Sequence, residues 1–443
     1  MIVKKISMNS MRMSIIVIGI YFFVYLGCYA KRGERINIQH GQHNGIPFNV
    51  LGTVNNDTIF VLHDVDLGGH ICELPNNTIL MTKGGIIKNG TLVGRNTKIS
   101  CKGKVFDRVI IKGTWNVPKI STSLFVNLSD DNALKNVMAL TNKSVKNVVT
   151  IEKGNYWVAA HKEGDKCLFV NSNTTMIING TIRLRANDYI HYNMLYVSGE
   201  NISIKGKGTI IGDKPDHYGD KGEWGMGINV FQARYVSIKD LTVKDCWGDC
   251  IYVGGNSQHV KIEKCHLDNG RRQGISVTKA DDVNISHCKI SNVRGTKPEY
   301  AIDLEPNKGD TVRNVLIEHV EVDNCVGGFL ATTGYKDSTK FVGNVYIRHC
   351  QLNVQEREPI RLRRCASVEI ENCTINTSNA KPAVFSQDVS TLKVNNNNIN
   401  IRKSVLSTVK NVVKDALGEG EYKPIKIVRS KKKLINNNKI SEE

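Results

Sequence analysis

Apolar and polar residues alternate in short bursts along the second half of the chain, and the bursts repeat. Ile238-Lys-Asp-Leu241-Thr-Val243 can be laid over Ile262-Glu-Lys-Cys265-His-Leu267 and Ile285-Ser-His-Cys288-Lys-Ile290. The pattern continues at Ile317-Glu-His-Val320, Ile347-Arg-His-Cys350, Ile370-Glu-Asn-Cys373 and Val394-Asn-Asn-Asn397, with starts 24, 23, 32, 30, 23 and 24 residues apart. Alternation with period two predicts strands, and a repeat of this length predicts a solenoid. Three short strands fill a coil of about this size in a parallel β-helix. The predicted class is therefore all-β.

Stacked coils put Leu241, Cys265, Cys288, Val320, Cys350, Cys373 and Asn397 in one inward slot. Cysteine in such a ladder behaves as a small hydrophobe, so these thiols are expected to be reduced core residues. A second register follows at Ile251-Tyr-Val253, Ile275-Ser-Val277, Ile302-Asp-Leu304 and Ile360-Arg-Leu362. Its middle residues, Tyr252, Ser276, Asp303 and Arg361, should stack on one outward face. The two long coils carry insertions beside that face, at residues 295–300 and 332–337. Loops raised along one side of a rigid solenoid make a groove for an elongated ligand.

Upstream the pattern loosens. Residues 31–125 hold short strand-like runs with Gly turns and predict an N-terminal β extension. Asp130-Asp131 before Ala133, Leu134, Val137, Met138 and Leu140 predicts a short capped helix. Residues 402–417 have apolar spacing of a second capping helix, which closes a β-helix domain at residues 126–418. Residues 419–443, with Arg429 and Lys431-Lys-Lys433, read as a solvated basic tail. At the other end, Lys4, Lys5 and Arg12 precede an apolar run at residues 14–30, the order of a secretory signal. Leu26-Gly27-Cys28 resembles a lipoprotein cleavage box, so Cys28 is a candidate lipid anchor and the only expected membrane attachment. The mature chain is expected outside the cytoplasm.

The formal net charge of +18 points to an anionic partner. Forty per cent apolar and 23 per cent charged residues exclude a disordered chain. Helix-turn-helix, zinc-ligand and single-strand stacking motifs are absent from the sequence, so nucleic acid is not the expected partner. Neither a Gly-rich phosphate loop nor a nucleophile elbow occurs, and no metal or cofactor is expected.

Four motifs then fall in a recognisable order: Gly208-Thr-Ile-Ile-Gly212, Met226-Gly-Ile-Asn229, Gly248-Asp-Cys-Ile251 and Gln273-Gly-Ile-Ser276. Together they resemble the GTIDG, NTDGID, GDDCI and GHGIS series of the polygalacturonase family of glycoside hydrolases. That resemblance implies a right-handed parallel β-helix of the pectin-lyase type. It also implies altered chemistry. The family's catalytic Asp of NTD falls on Met226, the first Asp of its pair on Gly248 and its catalytic His on Gln273. Asp249 alone keeps its place.

Acids for catalysis must then come from elsewhere on the outward face. Asp303 and Glu305 are the candidates, because residues two apart on a strand share a face with Cα atoms roughly 6.5–7 Å apart. An inverting acid–base pair sits roughly 6.5–9.5 Å apart. Arg271, Arg272 and Gln273 one coil earlier, and Arg361 and Arg363 two coils later, are candidate contacts for a uronate or sulfate. Asp249 is a candidate third carboxylate or substrate contact, and Tyr252 and Trp247 candidate sugar-stacking rings. Glu223 and Trp224 belong to a polar loop at residues 213–229 that could wall the site, with His217 and His266 near it as proton carriers. The residues point to an acidic polysaccharide as substrate. Hydrolysis, β-elimination, C5 epimerisation and glycan binding without catalysis stay open at this stage.

Overall fold

The computed structural model describes residues 45–333, 341–378, 380–402 and 422–442. The expected leader at 1–30, Cys28, nearly all of the helix expected at 402–417, and residues 334–337 of the second insertion lie outside them. The chain divides into two compact units, one ending at Leu128 and including Ala139–Asn142, the other formed by Ser129–Met138 and everything from Lys143 onward.

The first unit is β structure around Leu67, Leu92, Phe106 and Trp115, all 1% exposed or less. Its longest strands, Ile87–Cys101 and Phe106–Trp115, pair in parallel. Thr53–Asn55 and Thr58–Val61 form an antiparallel pair. The short helix expected after Asp130-Asp131 forms at Ala133–Ala139. The Asp130 carboxylate accepts from the Asn132 N–H at 2.8 Å, and Asp131 pairs with Arg185 at 2.7 Å.

The second unit is a stack of parallel coils, each contributing a strand to three faces. The burst predicted from the Ile238 repeat forms the first face, as in Ser257–Glu263, Ala280–Ser286 and Thr311–Glu318. A turn leads to the second face, as in His266–Asp268, Lys289–Ser291 and Glu321–Cys325. The third face, hereafter the groove sheet, includes Ile251–Gly254, Ile275–Val277, Tyr300–Leu304 and Ile360–Arg363. It also has Gly327–Thr332, a strand that the period-two reading missed because all six of its residues are buried.

The turn between the first and second faces explains the composition of the repeat. Asp240, Lys264, His287, His319, His349, Asn372, Asn396 and Asn437 hold left-handed backbone with φ between +52° and +59°. Asn, Asp and His tolerate that region better than other non-glycine residues, which is why the repeat is rich in them. The next residue turns inward into the cysteine slot. There Cys265 Sγ donates to the Ile238 carbonyl of the preceding coil at 3.8 Å, Cys288 to Ile262 at 3.6 Å and Cys350 to Ile317 at 3.6 Å. Asn397 substitutes for cysteine with the same bond, its Nδ2 donating to the Ile370 carbonyl at 3.2 Å. The slot is thus a polar ladder inside an apolar core, more than the hydrophobic stack expected. Every cysteine among the described residues is free.

The C-terminal segment corrects the expected tail. Ile425–Val428, Lys432–Asn436 and Lys439–Glu442 add one more rung to the three faces, pairing with Val384–Gln387, Thr391–Asn395 and Asn398–Arg402. The lysines around them hid the alternation. Within this rung Leu434, Ile435 and Ile440 are 40–49% exposed.

Candidate active site

Outward residues of the groove sheet line up through the hydrogen-bonded registers. Phe169 lies beside Tyr196, Tyr196 beside Asn229, and Asn229 beside Tyr252. From Tyr252 the row runs through Ser276 and Asp303 to Leu330 and Arg361. The predicted face of Tyr252, Ser276, Asp303 and Arg361 is therefore present, with Leu330 inserted.

A cavity of about 680 Å³ opens on this row, with Tyr196, Trp224, Tyr252, Arg272, Asp303 and Glu305 in its lining. A second cavity of about 480 Å³ adjoins it, lined by Arg357, Arg361, Arg363 and Lys381 together with Glu358. Glu305 lines both. It follows the last residue of the strand Tyr300–Leu304, with the inward Leu304 between it and Asp303.

Asp303 is 1% exposed. Its Oδ2 accepts from Gln273 Nε2 at 2.8 Å, and the Gln273 Oε1 in turn accepts from the Tyr300 N–H at 2.8 Å. That second bond fixes which way the amide points. Asp303 Oδ1 is buried without a partner. Burial pushes this carboxyl well above the usual range; the neighbouring carboxylates Glu305 and Asp249 push the same way, and Arg272 opposes them. Because Gln273 Nε2 can only donate, a protonated Asp303 carries its proton on Oδ1.

Arg272 supports the site from one side. Its Nη1 lies 3.4 and 3.3 Å from the two oxygens of Asp249 and 3.5 Å from Ser276 Oγ, while its Nε lies 3.4 Å from Glu223 Oε2. Burial alone would drag the guanidinium down, but Asp249, Asp303, Glu223 and Glu305 outweigh it and hold it charged. Asp249 is fully buried, and its carboxyl is raised because burial outweighs the pull of Arg272. Tyr252 donates to or accepts from Thr278 Oγ1 at 2.7 Å, and burial raises its phenol.

Several expected contacts turn out to be supports. Asp249 does not line the cavity; it holds Arg272. Gln273 is fully buried and spends both ends of its amide on Asp303 and Tyr300, so it orients the Asp303 carboxyl and has no amide group left to face the cavity. Arg271 donates to the carbonyls of Gly222 and Asp220 and stacks on Trp247 at 3.8 Å. Trp247 is itself stacked by His217 at 3.9 Å, so neither ring is open to a sugar. His217 also meets Asp213, which accepts from Tyr192 and Asn187. His266 sits on the second face, its Nε2 3.4 Å from Ser291 Oγ.

Gly248 has a physical reason to be glycine. A Cβ there would lie 2.5 Å from the Glu223 carbonyl oxygen, so the polar loop fills the space an aspartate side chain would need. The loop returns Glu223 to Arg272 and Trp224 to the cavity wall.

Lys166, His191, Asn193 and Asn229 also line the larger cavity. Asn229 Nδ2 donates to Asn193 Oδ1 at 2.7 Å, leaving the buried Asn229 Oδ1 without a partner. These residues were missed because they sit on coils upstream of the clear repeat. Among the described residues, no group of three or more His, Cys, Asp or Glu side chains gathers as a metal site.

This architecture is a right-handed parallel β-helix. The family model for the right handed beta helix region matches residues 149–345. Two proteins of Bacillus subtilis (strain 168) are similar in sequence. The SPbeta prophage-derived uncharacterized protein YorA is 27% identical over 189 residues, 36% of this chain and 32% of its own length. The uncharacterized protein YclG is 34% identical over 134 residues, 26% of this chain and 23% of its own length. The chain thus spans a third or less of the curated relatives it matches. Among solved structures, the mannuronan C-5 epimerase AlgE4 A-module of Azotobacter vinelandii is similar at 14% identity and a TM-score of 0.46, over 67% of this chain and 87% of that one. The tailspike protein gp49 of Acinetobacter baumannii bacteriophage Fri1, a capsular polysaccharide depolymerase, is similar at 13% identity and a TM-score of 0.37, over 73% and 63%.

Proposed function

We propose that this chain is a carbohydrate-active enzyme that hydrolyses an acidic polysaccharide in the groove, with Asp303 as general acid and Glu305 as general base. One observation carries the reading: a buried carboxyl whose burial favours its protonated form, with a second carboxyl two residues along the same edge of an open cavity. Separating the protonation of two carboxyls by environment is how a glycosidase obtains an acid and a base at one pH. Asp303 gives its Oδ1 proton to the leaving glycosidic oxygen as the C–O bond breaks. Glu305 takes a proton from the water that attacks the anomeric carbon. Asp249 and Glu223 hold Arg272, and Gln273 fixes the orientation of the acid. Tyr196, Trp224 and Tyr252 offer faces on which sugar rings stack, and the cations of the second cavity favour an acidic chain.

The likeness of the four motifs to the polygalacturonase series supports the substrate class. The departures at Met226, Gly248 and Gln273 move the chemistry along the groove to the coil of Asp303, the one after Gln273. The basic-then-apolar first thirty residues support export, with Cys28 as the site of lipid attachment in that reading. One observation favours a second reading, elimination or epimerisation: Glu305 also lines the cavity of Arg361 and Arg363, where a base would face cations able to neutralise a uronate.

The test is incubation of the exported form with a panel of acidic polysaccharides, reading new reducing ends and ultraviolet absorbance together. Reducing ends without absorbance support hydrolysis. Absorbance from an unsaturated uronate replaces it with elimination. Retention of the polymers with no new ends on any of them rejects catalysis in favour of binding.

A further inference from the structure

The two cavities that meet at Glu305 are chemically unlike. On the side of the earlier coils the rings of Phe169 and Tyr196 lie 5.6 Å apart and those of Tyr196 and Phe231 6.2 Å apart, with Lys166 Nζ 3.7 Å above Tyr196. Trp224, 45% exposed, and Tyr252 continue this aromatic surface toward Asp303. Of the two cations in its lining, Arg272 is already neutralised by Asp249 and Glu223, and Lys166 is engaged over the ring of Tyr196, the outermost of the lining aromatics. This surface suits the apolar faces of uncharged sugar rings.

On the side of the later coils the lining is cationic. Four cations stand against two carboxylates, Glu305 and Glu358. Arg357 is taken by Glu299 at 3.2 Å and Arg361 by Glu358 at 2.8 Å. Glu358 also accepts from Tyr300 at 3.3 Å, which locks it in place. Arg363 and Lys381 are left with no acidic partner among the described residues, and the buried Arg363 Nε has no partner at all. An unpaired guanidinium nitrogen beside a roomy cavity calls for an anion that accepts two parallel hydrogen bonds, such as a carboxylate or sulfate.

We infer that the groove reads its substrate directionally: an acidic sugar residue seats against Arg363 and Lys381, an uncharged residue packs on Tyr252, two strand steps to the other side of Asp303, and the bond between them lies over Asp303 and Glu305. The inference rests on the polysaccharide reading above and adds to it that the natural chain is mixed, with acidic and neutral residues linked at the point of attack. Every product then carries the same kind of residue at its new reducing end.

The experiment uses the Asp303→Asn variant, which binds without turnover, on polymers that alternate a uronate with an uncharged sugar, each beside its carboxyl-reduced form. Affinity is read by calorimetry, and wild-type products by mass spectrometry. The expected result is at least one alternating polymer bound about tenfold or more tighter than its reduced form, with uniform product ends. Adding Arg363→Gln and Lys381→Gln should erase that difference, while Tyr252→Ala should weaken both forms alike. Equal affinity of native and reduced polymers, a preference that survives the double Gln change, or mixed product ends would overturn the directional inference while leaving a polysaccharide groove intact. No binding of either form by any polymer would overturn the groove reading itself.

Discussion

Replacing Arg272 with alanine should damage folding before it damages substrate binding, although its place beside the cavity suggests the reverse. Its guanidinium lies against Asp249, a fully buried carboxylate, and Glu223. Removing one member of a buried ion pair strands the other, at a cost of about 3–5 kcal/mol. In Asp249→Asn the arginine keeps Glu223 and Ser276, so a smaller loss of about 1–3 kcal/mol is expected. The double variant strands no charge and should fall short of the summed single losses by about 2 kcal/mol, within the range for groups in contact.

The pH dependence has a definite sign. Asp249 has its carboxyl raised in the folded state, and losing Arg272 raises it further. Such a group binds more protons folded than unfolded, so stability falls as pH climbs from about 3.9, the unfolded value, through the folded one. The deficit of Arg272→Ala should therefore be smallest near pH 4 or below and grow toward neutrality, by about 1.4 kcal/mol for each unit that the carboxyl is displaced. Urea titrations of the four proteins at several pH values supply the cycle. A deficit independent of pH, or a double variant as unstable as the sum of the singles, refutes the buried-pair account.

Three further outcomes follow from the same structure. Asp303→Asn should match or exceed wild-type stability at neutral pH, because it removes a carboxyl that burial and Glu305 hold above its unfolded value; the advantage should vanish below about pH 4 in a thermal scan against pH. Gly248→Asp, which restores the residue of the resembling motif, should expel the polar loop and lower stability, since its Cβ would meet the Glu223 carbonyl at 2.5 Å; limited proteolysis near Glu223 reads the release. Thiol titration of the native protein should find the buried cysteines silent, those of the ladder because they are shut from solvent at 1–2% exposure, and Cys325 and Cys365 because burial also pushes them up to about 12. Among the described cysteines only the partly exposed Cys101 should react before denaturant is added.

The coils were legible because inward residues recur at a fixed interval and the groove row inherits that register. Asp303 and Glu305 could be picked out for the same reason: a polar residue at a slot between two inward aliphatics must face out. Direction was legible, but surroundings were not. Arg271, Arg272, Gln273 and Asp249 all looked outward or near it, yet the loop before Trp224 takes up Arg271 and meets Arg272, Arg272 occupies Asp249, and the next coil ties up Gln273. A loop has no periodicity, so its path cannot be read from spacing. The strand Gly327–Thr332 escaped because burial on both faces erases alternation, and the coil at residues 425–442 escaped because Lys433 takes the inward register position beside Leu392 and Leu434 the outward one beside Lys393. The unlike halves of the groove needed three-dimensional neighbours: Glu358 and Glu299 decide which arginines remain free, and nothing in their spacing announces it.

The central claim is that Asp303 and Glu305 work as acid and base on a polysaccharide held in the groove. The most direct measurement is reducing-end release by wild type, Asp303→Asn and Glu305→Gln from whichever acidic polymer the wild type attacks, with denaturant stability measured on the same samples. The account predicts that each variant stays folded and loses about 10²–10⁴ of turnover, the contribution of a positioned acid or base. Wild-type turnover in either folded variant would contradict it.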